Sequence, residues 1–161
     1  MIRPLDPVTD RAAVEAFFSA CAAYIRLERD AGPGPEVTEE FFTDTPPGCD
    51  AAQNLRLGLF AGSLIGVADM AFGYPTADDA YIGLMMISPA ARGLGAGQTL
   101  LRHLESAARA RAAHTLYLAV LDANPRGRAF WEREGFTLAL PNRPVTLGGK
   151  TQIAHRLGKA L

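Results

Sequence analysis

Three glycines at alternate positions, Gly93, Gly95 and Gly97, separate an apolar stretch from an amphipathic one. A backbone without Cβ atoms reaches left-handed angles and lets its N–H groups approach a ligand closely. At the start of a helix those N–H groups lie at the positive end of the helix dipole, which favours a bound phosphate. Arg92 adds a positive charge just before the glycines. The stretch from Arg92 to Gln98 is therefore predicted to bind an anion.

The elements around this glycine loop predict an α+β fold. The apolar residues 81–87 indicate a buried strand before the loop, and apolar residues spaced by three and four indicate a helix after it. Other strands are predicted at residues 2–5, 55–59, 64–72, 114–121, 136–140 and 151–157. The resulting order is β α α β β β α β α β β, with a mixed central sheet of about seven strands. Strands 81–87 and 114–121 are joined by a helix, so we expect them to be parallel.

Turn and capping residues set the expected boundaries of the helices. A first helix is predicted to continue through Ile25, and Thr38 is predicted as the N-cap of a short second helix. Asn124 followed by Pro125 predicts the start of the last helix. Residues 141–150 are expected to be a loop between the last two strands.

Length and composition indicate one globular domain over residues 1–161, of which 48% are hydrophobic and 20% charged. There is no apolar run of about 18 residues and no signal-peptide core at the N-terminus, so we expect a cytoplasmic protein without a membrane partner. Cys21 and Cys49 lack the clustered histidines of a zinc site, and we expect no metal.

Charge is distributed unevenly along the chain. Residues 1–80 contain five Arg or Lys against thirteen Asp or Glu, whereas residues 81–161 contain eleven against four. The basic half would suit an anionic cofactor and the acidic half a cationic acceptor, unless these are scattered solvated side chains. An isoelectric point near 6.3, without a basic and aromatic run, argues against nucleic acid as a partner.

Two stretches resemble the core motifs of one enzyme family. The R-x-x-G-x-G stretch at residues 92–97 is similar to the acyl-CoA pyrophosphate loop of the GCN5-related N-acetyltransferases (GNAT). Residues 118–136 resemble the family's other motif, in which a strand ends near an Asn and a helix carries two aromatic residues before Gly-Phe. The resemblance covers most of the chain and is densest over residues 81–136.

The resemblance implies transfer of an acetyl group from acetyl-CoA to an amine by direct attack in a ternary complex. It implies a small-molecule acceptor, with a peptide as the second choice, and it allows a homodimer. The two parallel strands would diverge at the glycine loop and admit the cofactor between them, where one backbone N–H would polarise the thioester carbonyl. The implied cofactor-binding residues are Met86, Ile87, Ser88, Arg92, Gly93, Leu94, Gly95, Ala96, Gly97, Gln98, Asn124, Phe130 and Trp131. Three of these residues also have a purely structural alternative: Asn124 as a helix cap, Phe130 as a core side chain and Arg92 as a surface charge.

Trp131 departs from the family pattern, which often has a tyrosine there to protonate the leaving thiolate. An indole N–H donates a hydrogen bond but is not a usable acid. Another group or water would take this role, or the thiolate would leave unassisted. Tyr81 and Tyr117 lie on the two predicted parallel strands, and Tyr81 is our candidate for the acid.

A general base is also needed, because amines are mostly protonated at neutral pH. The strand at residues 81–87 contains no carboxylate, although many relatives have one there. Asp69 is the first candidate, because a carboxylate within the apolar run 64–72 is costly without a purpose. Glu28, at the end of the first predicted helix, is the second. Either could instead be a paired surface carboxylate.

Two further interpretations of the sequence compete with this one. A dinucleotide-binding loop is disfavoured by the glycine spacing and by the antiparallel strands before it, and a Walker loop would need Gly-Lys-Ser/Thr. A sensor of the same fold, binding acyl-CoA with little turnover, is the alternative, motivated by Trp131 and by the missing carboxylate at residues 81–87.

Overall fold

The computed structural model describes all 161 residues and contains one mixed sheet of seven strands with five α-helices. The strands are β1 (Ile2–Pro4), β2 (Leu55–Ala61), β3 (Ser63–Phe72), β4 (Asp79–Ile87), β5 (Thr115–Leu121), β6 (Thr137–Leu147) and β7 (Lys150–Ala160). The helices are α1 (Arg11–Ala20), α2 (Ala22–Glu28), α3 (Pro35–Thr43), α4 (Ala96–Ala110) and α5 (Pro125–Arg133). None of them is long and apolar enough to span a bilayer. The predicted α+β fold with a mixed seven-stranded sheet is confirmed.

Each face of the sheet supports its own apolar core. On one face α4 and α5 bury Leu100, Leu104 and Trp131 against side chains such as Ile82 and Leu118 of the sheet. On the other face α1, α2 and α3 bury a second cluster. Its members are Leu5, Val14, Phe17, Phe18, Cys21, Ile25, Val37, Phe41, Phe42, Val67 and Met86. The sheet is therefore the layer that separates two helical layers.

The centre of the sheet opens where its two parallel strands diverge. The strand order is β1-β2-β3-β4-β5-β7-β6, and only β4 and β5 are parallel. They pair from Asp79 with Thr115 as far as Ile82 with Leu118, and their carboxyl-terminal halves do not pair. On its other side, β4 carries an irregularity at Gly83, because Asp69 is opposite Leu84 and Met70 is opposite Ile82. The open side of β4 thus begins at this bulge.

Two predicted helix boundaries were wrong. The helix expected to continue through Ile25 is divided at Cys21, where the backbone leaves helical angles and the Cys21 N–H donates to the carbonyls of both Phe17 and Phe18. Thr38 is not an N-cap, because α3 already begins at Pro35, whose fixed φ suits a first helical position. Thr38 is fully buried inside that helix.

The predicted loop at residues 141–150 was also wrong, because most of it is strand. β6 continues to Leu147 and pairs with β7 up to a tight turn at Gly148 and Gly149. Two register shifts between Leu138 and Arg143 accommodate the proline and the left-handed Asn142. The Asn142 N–H donates to His155 Nδ1 (3.1 Å) instead of to the ladder.

Candidate active site

The glycine loop presents a row of free N–H groups at the start of α4. Gly93 and Gly95 have left-handed φ values of 76° and 81°, and Gly95 is the N-cap of the helix. The first N–H to bond back is that of Thr99, which donates to the Gly95 carbonyl (3.0 Å). The N–H groups from Gly93 to Gln98 have no acceptor within the protein. Together with the helix dipole, they form a site suited to an anion such as a pyrophosphate.

The side chains of this loop have distinct environments. Gly97 lies against α5, and a Cβ there would be 3.3 Å from the Phe130 ring. Arg92 donates from Nε to the Ile87 carbonyl (3.2 Å), and Gln98 donates from Nε2 to Glu134 (2.7 Å). Leu94 is 81% exposed. The loop is thus fastened to β4 and α5 while its backbone donors stay free.

The backbone of β4 next to the loop faces two directions. The Ser88 N–H donates to the Ile65 carbonyl (2.9 Å), so this group points towards β3. Backbone groups alternate along a strand, so the groups of Met86 also point towards β3 and those of Ile87 towards the opening beside β5. Of the three residues expected to hold the cofactor by their backbone, Ile87 is the one whose N–H is directed there.

Asn124 and the aromatic residues of α5 have structural roles in capping this helix and packing it against the sheet. Asn124 caps α5, since its Oδ1 accepts the Gly127 N–H (3.0 Å). Trp131 is 9% exposed and is packed edge-to-face against Phe130 and Phe136, with ring centroids 5.0 and 5.3 Å apart. The structural alternatives named for Asn124 and Phe130 are therefore present in the structure, and their cofactor contacts stay a prediction.

A cavity of about 430 Å³ lies on the face of β4 that is covered by α1, α2 and α3, opposite to the face covered by α4 and α5. Its floor contains Asp69 of β3 and Gly83, Leu84 and Met86 of β4. The other lining residues are Phe18, Ile25, Glu28, Arg29, Val37, Glu40, Phe41, Asp44, Thr45, Pro46 and Leu147. The cavity therefore adjoins the segment of β4 that borders the opening beside β5.

Asp69 is buried at this floor with one oxygen left free. Only 8% of the residue is exposed. Its Oδ1 accepts a hydrogen bond from Asn54 (3.0 Å) and lies 3.5 Å from Arg56 Nε, whereas Oδ2 receives no hydrogen bond from the protein. Burial raises the pKa of Asp69 to about 6, against the opposing effects of Arg56 and Asn54. Such a carboxylate is ionised at neutral pH yet is a stronger base than an exposed one.

Glu28 also lines the cavity, at the end of α2. Burial raises its pKa, Arg29 opposes the shift and Glu40 adds to it. Glu40 is itself paired with Arg29 at 2.8 Å. The structure thus brings the two predicted bases, Asp69 and Glu28, to one cavity.

Tyr81 lies apart from that cavity. Its ring packs edge-to-face on Tyr74 (5.1 Å between centroids), with the Arg156 guanidinium 5.9 Å from its own centroid. Burial raises the pKa of the Tyr81 phenol, so it stays protonated at neutral pH. Its role as an acid stays a prediction.

The turn between β6 and β7 closes the cavity on the side of α2. Leu147 lines the cavity, and a Cβ at Gly148 would be 2.8 Å from Cβ of Arg29. Gln152 Nε2 donates to the carbonyls of Leu27 (2.9 Å) and Glu28 (3.0 Å), which the end of α2 leaves without helical partners. These contacts give the cavity a wall on the side of α2.

Several residues that line the cavity or support Asp69 were missed from the sequence. Asn54, just before β2, and Arg56, in β2, both contact Asp69 of β3. These contacts depend on the pairing of the two strands, which sequence patterns do not reveal. Gly83 could have been noticed, because a glycine inside an apolar strand often marks a bulge or a close approach. The carboxylates of α3 and its end, Glu40 and Asp44, resembled solvated surface charges.

The sequence model of the family described as "Acetyltransferase (GNAT) family" matches residues 16–136. An acetyltransferase from Thermus thermophilus is similar over 100% of this chain and 96% of its own, with a TM-score of 0.77 and 26% identity. A ribosomal-protein-alanine N-acetyltransferase from Brucella melitensis shares the fold over 100% of this chain and 99% of its own (TM-score 0.76, 20% identity). The ribosomal-protein-S18-alanine N-acetyltransferase from Escherichia coli does so over 99% and 92% (TM-score 0.69, 21% identity). A search of curated proteins found no match.

Proposed function

Since this chain belongs to the GNAT acetyltransferase family, we propose that it transfers the acetyl group of acetyl-CoA to the amine of a small molecule within a ternary complex. The observation that carries the proposal is the position of β4. The edge of its carboxyl-terminal half that is directed towards β5 borders the opening that leads to the glycine loop. The face of the same segment under α1, α2 and α3 forms the floor of the cavity together with Asp69.

Cofactor binding would use the free donors of the loop. The N–H groups from Gly93 to Gln98 would hold the pyrophosphate, with Arg92 adding charge. The pantetheine arm would enter between β4 and β5, where the Ile87 N–H would polarise the thioester carbonyl. Leu94, Ala96, Asn124, Phe130 and Trp131 remain our assigned neighbours of the cofactor.

Asp69 would act as the general base. Its free Oδ2 would take a proton from the ammonium group of the acceptor, directly or through one water. The amine nitrogen would then form its bond to the thioester carbon. As the tetrahedral intermediate collapses, the C–S bond would break and the nitrogen would release its second proton to water, which gives the neutral amide. CoA would leave as a thiolate, whose pKa is near 8.5 if cysteine is a guide, so it departs without obligatory acid help. Tyr81 is our candidate for returning a proton to it.

The closed wall of the cavity supports a small-molecule acceptor over a peptide. Gln152 and Leu147 join the β6–β7 turn to the end of α2, and this wall would obstruct an extended chain on that side. The raised pKa of the Asp69 carboxyl at the floor of the cavity also supports an enzyme over a sensor without turnover, because perturbed carboxylates cluster at catalytic sites.

A ligand titration followed by an amine panel tests the proposal. Acetyl-CoA and CoA should raise the melting temperature while NAD and ATP do not, since a ligand specific for the native state stabilises it. Amines should then accelerate CoA release, with an acetylated product detected by mass spectrometry. A melting shift from acetyl-CoA with no amine-dependent release would favour the sensor. A shift from a nucleotide alone would contradict our interpretation of the loop.

A further inference from the structure

An open patch of the sheet adjoins the cavity where β4 and β5 diverge. Ile82 and Leu118 are the last paired residues of the two strands, and the residues that follow them, Gly83 and Ala119, are both exposed. Leu118 and Val120 belong to the core under α4 and α5, so Ala119 between them lies on the other face of the sheet. Gly83 lines the cavity on that same face. The patch therefore connects the cavity with the opening between the two strands.

Arg156 of β7 borders this open patch. It is paired with Ala119 across the β5–β7 ladder, and the side chains of paired residues lie on the same face. Its Nη2 donates to the Tyr74 hydroxyl (2.9 Å). Its guanidinium lies 5.3 and 5.9 Å from the ring centroids of Tyr74 and Tyr81. Since Tyr81 belongs to β4, the Arg156 side chain leads back across β5 towards the opening.

The Arg156 guanidinium has no counter-charge within the protein. The residue is half-buried, and no carboxylate is within ion-pair distance of it. A guanidinium presents five N–H donors in a planar fork that matches a carboxylate, whereas the Tyr74 hydroxyl accepts only one of them. The aromatic rings hold the side chain in place, so less conformational entropy is lost when an anion binds. Arg156 is therefore suited to an anionic group of a ligand.

Asp69 and Arg156 place opposite charges on one face of the sheet. Asp69 lies beside Gly83, and Arg156 lies opposite Ala119, so three strand spacings, about 14 Å, separate their Cα atoms. Because the guanidinium reaches back towards Tyr81, the gap between the two charged groups is shorter, about two spacings or 10 Å. A molecule with an ammonium at one end and an anion at the other would match both groups across the opening.

We propose that the acceptor is an amine that also carries a carboxylate, with the amine at Asp69 and the carboxylate bound by Arg156. This inference rests on the proposed acetyl transfer and specifies its substrate class. Tyr74 is then a positioning residue, because its hydroxyl holds the guanidinium. The reverse orientation would bring two carboxylates together at Asp69 and two cations together at Arg156, so like charges disfavour it.

Amino acids compared with their own amides test the requirement for a carboxylate. β-Alanine, γ-aminobutyrate and ε-aminocaproate vary the chain length, and the carboxamide of each removes the negative charge at nearly the same size. We expect kcat/KM for the best of these acids to exceed that for its amide about tenfold, since hydrogen bonds between charged groups have about that value. A ratio of one or less at every chain length would overturn the proposal.

Variants of Arg156 connect this preference with its place in the structure. Arg156→Gln should lower the ratio of acid to amide kcat/KM towards one, whereas Arg156→Lys should keep part of it, because lysine retains the charge without the fork. Tyr74→Phe should lower the ratio several-fold, because the guanidinium loses the hydroxyl that holds it. A ratio unaffected by Arg156→Gln would contradict the site.

A control variant and the amides separate the outcomes. Arg109→Gln removes an exposed guanidinium of α4, which packs on the opposite face of the sheet, and it should leave the ratio as in the wild type. Release of CoA with the amides at an unchanged or higher rate would show that acetyl transfer holds while the carboxylate requirement is wrong. No release with any amine would contradict the proposed function and this inference with it.

Discussion

Gly83 is the unpaired residue of the bulge in the β3–β4 pair and lies beside Asp69, and a Cβ on Gly83 would lie 2.7 Å from Asp69 Oδ2. This distance is shorter than any normal contact of a Cβ atom. The absence of a side chain at Gly83 therefore provides the space that the free carboxylate oxygen occupies. It also makes Gly83 a positioning residue for the proposed base.

Replacing this glycine should displace the carboxylate. We expect Gly83→Ala to lower kcat at least about tenfold, because about 1 Å of misplacement in a catalytic group costs up to 10²-fold. Binding of acetyl-CoA, measured by calorimetry, should be retained. Unchanged kcat would show that Oδ2 does not act at this position.

Asp69 should also lower the stability of the fold. Its pKa is raised to about 6 in the folded state, above the ordinary value near 3.9, so ionisation disfavours the native state as pH rises from about 4 to 6. Asp69→Asn removes this penalty, which is up to about 2–3 kcal/mol above pH 6. The melting temperature of the variant relative to the wild type should therefore rise between pH 4 and pH 7. A difference independent of pH would contradict the raised pKa.

The glycine loop can be tested with a matched strain control. Gly95 and Gly73 both have φ above 80° and open space where a Cβ would lie, so alanine at either position should cost about 1 kcal/mol. Only Gly95→Ala should also weaken CoA binding, because it tilts the N–H groups at the start of α4. Equal CoA affinity in both variants, measured by calorimetry, would argue against the pyrophosphate site.

The wall of the cavity gives a further prediction. Gln152→Ala removes its bonds to the Leu27 and Glu28 carbonyls and leaves only the longer bond from Lys150 to Leu27 (3.3 Å), so the contact between the β6–β7 turn and α2 should loosen. KM for small amines should rise several-fold, while KM for acetyl-CoA should not change. Arg143→Ala, at an exposed position of β6, is the control. If Gln152→Ala leaves both KM values unchanged, the turn does not shape the acceptor site.

The sequence predicts the fold better than it predicts the cavity. Glycine spacing and apolar runs are local, so the loop, the parallel pair and the sheet class follow from them. The position of Asn54 beside Asp69 depends on the pairing of β2 with β3, which local patterns leave open. Thr38 shows the converse problem, since a good capping residue was buried inside a helix that Pro35 had already begun. The strand character of residues 141–147 was hidden by two prolines, of which Pro141 lies within a register shift and Pro144 keeps its place opposite Ile153.

The role of Asp69 as the base can be tested by the pH dependence of kcat/KM for an amine acceptor, compared between the wild type and Asp69→Asn. The wild-type rate should rise with pH through an apparent pKa near 6, as Asp69 loses its proton, and fall only when the amine itself deprotonates. The pH profile of Asp69→Asn should lack the rise near pH 6, and its kcat/KM should be about 10²–10⁴-fold lower. The variant should still bind acetyl-CoA. A variant that keeps both the rate and the limb near pH 6 would show that Asp69 is not the base.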